Sequence, residues 1–295
     1  MKTLNENVNP LLVKELRDVM RNPRVYTVFV VYLASISAIA LLLYMGLSLT
    51  NPTSRVGNSS QVGTTLFYAL VGAQVILVCL VAPAFTIGAV THERRQHTLD
   101  LLKATLLSPI QITLAKWIPS FGLIALLILA TIPLTGLVFV LGGVELTQWA
   151  AALCVITSSA SLFTSLGLFI SSRSHSTFDA LVITYSLLAG MVIGLAILML
   201  TAPALSASGG RMTAAGSSAL TVLFVLLAGL NPITALVITE ANFHQSSNLL
   251  TVVIGPSMGF VAPLTLPAPF LTLAVCYLAA TIVLLWLTAR TIRVR

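Results

Sequence analysis

Charged residues are scarce in this sequence. Asp, Glu, Lys and Arg make up only 8% of its 295 residues, whereas an ordinary soluble domain carries about a quarter. Hydrophobic residues make up 57% of the chain. This balance excludes a soluble globular protein, because so few polar groups could not cover a folded chain of this length in water.

Motifs for metal, redox and nucleotide chemistry are missing as well. The three cysteines, Cys79, Cys154 and Cys276, lie far apart with no CxxC or Cys/His spacing, so we interpret them as small core residues. No GxxxxGK[ST] phosphate-binding loop occurs. The sequence therefore predicts a non-catalytic chain that binds no metal and no cofactor of its own.

Ionisable residues are absent from the interior of the apolar runs. Ion-coupled carriers usually place Asp, Glu, His or Arg at membrane depth to bind the driving ion, and many contain inverted repeats. Neither feature occurs here. A secondary carrier is therefore the weaker hypothesis, and the sequence favours energy supplied from outside the membrane domain.

Long charge-free runs are the dominant feature that is present. About 20 apolar residues in a helix cross the roughly 30 Å hydrocarbon core. We therefore predict an all-α polytopic membrane protein, a single domain over 1–295 with six transmembrane helices, at 25–47, 64–90, 117–141, 146–170, 180–200 and 270–289.

The basic residues predict the orientation. If the N-terminus is cytoplasmic, only Arg55 and Arg211 of the fifteen Lys and Arg residues fall outside, which leaves thirteen inside. Cytoplasmic loops carry this excess in most membrane proteins, so both termini are predicted to be cytoplasmic. The net charge of +7 is then explained by the membrane, and we expect no nucleic-acid partner.

The region 201–269 is predicted to lie on the outer side. Its run Ser217 to Thr239 is charge-free, but Pro232 disfavours a helical Asn231. The remaining segment to Leu230 is too short to span comfortably. We predict a re-entrant segment, with a full crossing as the alternative, followed by non-helical backbone around Gly255 to Pro269.

The first 24 residues predict a cytoplasmic amphipathic helix. Asn9-Pro10 is a good start and Asn22-Pro23 a plausible stop. An apolar arc of about 120° opposes a charged side at helical spacing; the two sets are Leu12, Val13, Leu16, Val19, Met20 and Lys14, Arg17, Asp18, Arg21. Such a helix fits the inner membrane surface, either as a topology anchor or with a docking role.

The loop 91–116 predicts an elbow of two short helices. Leu99, Leu102 and Leu106 share one face of the first helix. Ser108-Pro109 with Gln111 forms a capping-box pattern that starts the second. An apolar face among charges must bury against the bilayer surface or in the groove of a partner protein, and the composition leaves both open.

Polar residues are concentrated in the fourth predicted crossing. Small residues at four-residue spacing let helices approach closely, so we favour helix packing over a substrate path. The candidate residues for either role are Gln74, Ser158, Ser161, Thr164, Ser165 and Tyr185. A path built from them would be neutral and mostly apolar, which favours amphipathic or lipid-like cargo over small ions.

The elbow resembles the cytoplasmic signature of ABC-2 type transporter permeases. The matching residues are Glu93, Arg94, Thr98, Leu99, Leu102, Thr105, Leu107, Ser108, Pro109 and Lys116. The sequence departs from the family at His97 and Ala115, where glycine is usual, and at Leu106, where proline is usual. Asn9-Pro10, Lys14-Glu15-Leu16 and Asn231-Pro232 are also similar to the family.

The resemblance implies the permease subunit of an ATP-driven exporter. Its expected partners are ABC ATPase subunits, which would bind ATP and Mg, and a second copy of itself or a related permease in the bilayer of a prokaryotic-like cell membrane. The implied ATPase-coupling residues are Glu93, Arg94, Thr98, Leu99, Leu102, Thr105, Ser108 and Pro109; those of the N-terminal interfacial helix are Lys14, Glu15, Arg17 and Arg21. A membrane scaffold that holds a partner without transport is the alternative.

Overall fold

Helices dominate the computed structural model, which describes residues 10–50, 59–95, 108–208, 226–245, 251–254 and 264–294. About 90% of these residues are helical. The helices are α1 Pro10–Arg21, α2 Pro23–Thr50, α3 Ser59–Thr86, α4 Thr91–Arg95, α5 Pro109–Ala130, α6 Ile132–Leu141, α7 Leu146–Arg173, α8 Thr177–Ser208, α9 Pro232–Gln245 and α10 Pro269–Val294. Two strands, β1 Thr251–Ile254 and β2 Leu264–Pro267, pair as an antiparallel sheet.

Five apolar helical stretches are long enough to cross a bilayer. They are Val25–Gly46, Val62–Thr86, Pro109–Gly136, Leu146–Arg173 and Pro269–Arg293. The protein is therefore a multi-pass helical membrane protein. The remaining predicted crossing, 180–200, is the fifth along the chain and lies within α8, and its passage through the membrane stays a prediction.

Prolines mark the helix boundaries, as the sequence predicts. α1 begins at Pro10 and ends at Arg21, and α2 begins at Pro23. The capping box is confirmed: the Gln111 amide donates to Ser108 Oγ at 3.3 Å, and the Ser108 amide donates to Gln111 Oε1 at 2.9 Å. These bonds satisfy amides that the first turn of α5 leaves without helical partners.

The third predicted crossing consists of two helices rather than one. Pro133, in the first turn of α6, lacks an amide proton and its ring crowds the preceding turn, so α5 ends at Ala130. Thr131 stands at the break, where its hydroxyl donates to the Ile128 carbonyl at 2.7 Å. Gln74 Nε2 of α3 donates to the same hydroxyl oxygen at 2.7 Å, which ties the break to the neighbouring helix.

Contacts divide the chain into two compact units. The first comprises Met1–Val144, Ser159–Tyr185 and Tyr277–Arg295. Within it α2 packs on α3, α3 packs on both α5 and α6, and α1 packs on α5. Its most deeply buried side chains include Phe67, Val71, Val75, Ile124, Leu127 and Phe163.

The second unit comprises Glu145–Ser158 and Ser186–Cys276. Asn231 begins α9, because its side-chain oxygen accepts from the Ile233 amide at 3.0 Å and its carbonyl from the Ala235 amide at 2.9 Å. Residues 226–229 form the preceding helical turn, so the predicted interruption at Asn231-Pro232 is confirmed. Most of the predicted re-entrant segment, 217–225, lies outside the described residues.

The short sheet was not part of the all-α prediction. Thr251 lies opposite Pro267 and Ile254 opposite Leu264. Three of the four residues of β1 are valine or isoleucine and the other is threonine, all β-branched types that strands favour. The predicted non-helical backbone from Gly255 to Pro269 includes β2 but not β1, and its residues 255–263 lie outside the described part of the chain.

Candidate functional site

Lys116 is a buried cation between two carboxylates. It lies in α5, and only 3% of its side chain is exposed. Its Nζ donates to Glu15 Oε1 of α1 at 3.1 Å and to Glu93 Oε1 of α4 at 2.5 Å. Three helices therefore meet at one ammonium group, and we call Glu15, Glu93 and Lys116 the Lys116 cluster.

Helical spacing places the ion pair beside an apolar contact. On α1, Leu11 lies one turn before Glu15, and on α5, Ile112 lies one turn before Lys116. Leu11, Ile112 and Ala115 are buried together with Ile292 of α10. The apolar contact excludes water on one side of the Lys116 cluster, which strengthens the attraction between its charges.

The charges of the Lys116 cluster depend on one another. Moving an ammonium group out of water costs several kcal/mol, and this cost is offset only by close, well-oriented partners. Glu15 and Glu93 remain 25% and 16% exposed, so water still solvates part of each carboxylate. Lys116 is the member that cannot stay buried alone, and the cluster therefore fixes where α1 and α4 sit on α5.

The start of α4 is held by other helices. The amides of Val90 and Thr91 donate to Ser171 Oγ of α7 at 3.1 and 3.3 Å. The Thr91 hydroxyl lies 3.0 Å from that of Thr177 at the start of α8. Glu93 thus projects toward Lys116 from a short helix whose start is held by α7 and α8.

Three sides of α1 differ in character. Leu11 is buried and Glu15 faces Lys116, so this side packs on the protein. Val13 and Leu16 are exposed apolar residues. The third side carries the exposed charges Lys14, Arg17, Asp18 and Arg21. The apolar arc expected from the sequence is therefore shared between protein contact and an exposed strip suited to the membrane interface.

The predicted coupling residues are only partly described. Glu93 points to Lys116 inside the protein, Arg94 lies in α4, and Ser108 with Pro109 starts α5. Thr98, Leu99, Leu102 and Thr105 lie outside the described residues. Of the four predicted residues on α1, Glu15 joins Glu93 at Lys116, while Lys14, Arg17 and Arg21 are exposed.

The predicted path or packing residues do not converge on a single point. Gln74 bonds to Thr131, and the Tyr185 hydroxyl donates to the Leu80 carbonyl at 2.8 Å. Ser158, Thr164 and Ser165 are buried and donate to carbonyls of their own helix. Ser161 donates to Thr281 Oγ1 of α10 at 3.2 Å. These are the contacts of closely packed helices.

The family resemblance covers Lys116, but the sequence does not single it out as a candidate site residue. A lysine directly before a long charge-free run is typical of a solvated residue at the edge of the membrane. The available signal was its spacing from Ile112 and Ser120, which places it on a face that the structure buries. Its two partners are 101 and 23 residues away in the chain, and no local pattern indicates them.

Leu11 should anchor α1 more strongly than Leu16. We expect Leu11→Ala to weaken the packing of α1 on the protein by about 2 kcal/mol, because it leaves a cavity against Ile112 and Ile292. Leu16→Ala is the matched control, since that side chain is 40% exposed. Amide hydrogen exchange over α1 measures the effect, and equal exchange in both variants would contradict this packing.

Neither similarity to known proteins nor the geometry of possible metal ligands assigns a function to this chain. The chain matches no family model and no curated protein. Within the described residues, no group of three or more His, Cys, Asp or Glu side chains is arranged to hold a metal ion. The function is therefore inferred from the Lys116 cluster and the helices that it connects.

Proposed function

We propose that this chain is the permease subunit of an ATP-driven ABC transporter, with export as the direction of transport. The Lys116 cluster carries the proposal. It joins the elbow helix α4 and the amphipathic helix α1 to α5, which continues into an apolar stretch. A force applied at the elbow would therefore move the start of a membrane helix rather than bend a loose loop.

The distribution of charge supports the same function. With both termini in the cytoplasm, six crossings bring α1, α4 and the start of α5 to the cytoplasmic side, where an ATPase would dock. The predicted crossings contain no ionisable group well inside that could bind a driving ion. Energy then comes from a separate polypeptide, because this sequence has no phosphate-binding loop.

The elbow must bind the ATPase differently in its two nucleotide states, because a ligand shifts a conformational equilibrium only by its differential affinity. In the described part of the elbow, the Glu93 carboxylate contacts the protein itself, because it accepts a hydrogen bond from Lys116. Glu93 therefore orients α4 toward the ATPase and is a positioning residue. The exposed Arg95 on the same helix is available for a partner carboxylate.

The decisive experiment measures ATP hydrolysis by an ABC ATPase that copurifies with this chain from native membranes. Adding the purified chain in lipid nanodiscs should change the hydrolysis rate severalfold. The variant Glu93→Ala with Arg94→Ala should abolish most of that change while inserting normally into the membrane. Glu145→Gln is the control, because Glu145 is an exposed glutamate outside α1, α4 and α5.

Two results would overturn the proposal. One is that no ABC ATPase binds. The other is that an ATPase binds but hydrolyses ATP at a rate independent of the chain and of the elbow substitutions, which is the result expected of a membrane scaffold.

A further inference from the structure

The ladder of helical hydrogen bonds is interrupted between α3 and α4. The Ile87 amide donates to the Pro83 carbonyl at 2.9 Å, and the Ala89 amide to the Thr86 carbonyl at 3.1 Å. The next two amides, of Val90 and Thr91, leave the ladder and donate to Ser171 Oγ of α7. A hydroxyl from a helix 80 residues away in the chain thus replaces the carbonyls that would continue α3 into α4.

Gly167 lies one turn before Ser171, on the same face of α7. A Cβ atom at Gly167 would lie 3.0 Å from Pro83 Cα and 3.1 Å from the Pro83 carbonyl oxygen, and would collide with Thr86 Oγ1. Backbone atoms cannot move aside as a flexible side chain does. α3 therefore fits against α7 only because position 167 has no side chain.

α8 also contacts the chain near the interruption. The Thr177 and Thr91 hydroxyls are within hydrogen-bond distance, and the Tyr185 hydroxyl donates to the Leu80 carbonyl close to Pro83. Ile87 is buried against Ile170 of α7 and Ala180 of α8. Side chains from both helices therefore hold the chain on either side of the interruption.

Space remains at one position of the interrupted segment. This segment is only four residues long, and the structure leaves open space around its Gly88, where a Cβ would meet no atom within 4 Å. A short turn between two helices, fixed at each end and open in the middle, is where a change of backbone angles costs least.

We propose that residues 87–90 form a joint clamped by α7, with Gly167 and Ser171 as positioning residues, and that movement of α4 is passed through this joint to α7. The covalent chain already connects the elbow to α3 and α5. The clamp adds a direct hydrogen-bonded link to α7, which is not a covalent neighbour of α4. The movement of α4 rests on the proposed function, because the ATPase partner would cause it. The clamp is a property of this chain alone.

The first test measures hydrogen exchange of the Val90 and Thr91 amides in the purified full chain. Ser171→Ala removes their acceptor, so exchange at both amides should become about tenfold faster, the order expected for the loss of one net hydrogen bond. Ser165→Ala is the control, because that buried hydroxyl donates to Leu162 of its own helix. Unchanged exchange in Ser171→Ala overturns the clamp whatever the partner of the chain.

The second variant tests the close approach of α3 and α7. Gly167→Ala should also accelerate exchange at Val90 and Thr91, and adding Thr86→Ala should restore part of the protection because it removes the nearest colliding atom. Gly122→Ala in α5, where a Cβ meets nothing within 4 Å, should leave exchange unchanged. Equal behaviour of Gly167→Ala and Gly122→Ala would contradict the proposed fit.

The third measurement separates the joint from the transporter assignment. In the complex with the ATPase, nucleotide should change exchange at the end of α7 in the wild type, and Ser171→Ala should reduce this change at least severalfold while the change in α4 persists. An unaltered change at α7 overturns transmission through the joint but leaves the ATPase partnership standing. Absence of any ATPase overturns the proposed function, and the exchange at Val90 and Thr91 still decides the clamp.

Discussion

Lys116→Met is expected to lower the stability of the protein by roughly 3 kcal/mol, the lower end of the range for removing one partner from a buried ion pair. Methionine keeps the length of the side chain but leaves Glu15 and Glu93 facing each other without a cation. We choose the lower end because both carboxylates are partly exposed and water can solvate them. Thermal unfolding in detergent should register a midpoint lower by about 5–10 °C.

Companion variants identify charge as the cause. Lys116→Met combined with Glu15→Gln and Glu93→Gln should recover much of the lost stability, because no unpaired carboxylate then remains. Glu93→Gln alone should be more harmful than Glu15→Gln, since Glu93 is less exposed and lies closer to Nζ. If the triple variant is as unstable as Lys116→Met, the Lys116 cluster acts through packing and not through charge.

Phe163→Ala is expected to destabilise the protein strongly. Phe163 is 2% exposed and meets Tyr277 edge to face, with ring centroids 6.3 Å apart. Lipid tails solvate an aromatic ring about as well as a protein core does, so the transfer term that adds to such losses in soluble proteins is small. The cavity and the lost ring contact remain, and together they predict a loss of about 2–4 kcal/mol.

Phe178→Ala provides the matched control in the next helix, α8. That ring is 71% exposed, so its removal creates no cavity and should leave the unfolding midpoint nearly unchanged. The measurement is the same thermal unfolding for both variants. If the two midpoints fall equally, the core between α7 and α10 does not contribute as the structure indicates.

Burial is the aspect of this fold that hydrophobicity predicts least. Phe163 and Phe178 are the same residue type in neighbouring helices, yet one is in the core and the other faces outward. In a membrane the outward face is as apolar as the core, so the apolar pattern identifies a crossing but not the side that packs. On α7, Ala160, Thr164 and Ser165 are as fully buried as Val155 and Leu168, which agrees with the packing that the four-residue spacing of the small residues predicts.

Local features were predictable because their causes are local. Pro10, the Ser108–Gln111 capping box and the Asn231-Pro232 interruption each depend on residues within one helical turn. Long-range contacts had no such signal. Two examples are the ion pair of Lys116 with Glu15 and the fit of Gly167 against Pro83. Both depend on proximity in the folded protein, which a single sequence does not contain. The separate helix α6 was missed because the apolar run is continuous there, although Pro133 breaks the helix.

Three hydroxyl groups buried along α7 each have one proton to give, and each has already given it. Thr164 and Ser165 donate to the carbonyls of Ala160 and Leu162, and Ser161 donates to Thr281, which in turn donates to Tyr277. What remains on these oxygens is lone pairs. If this face opened to a passing molecule, it would offer acceptors alone, and an alcohol or amine would bind it better than the matched ketone, a difference that binding assays with such pairs would register.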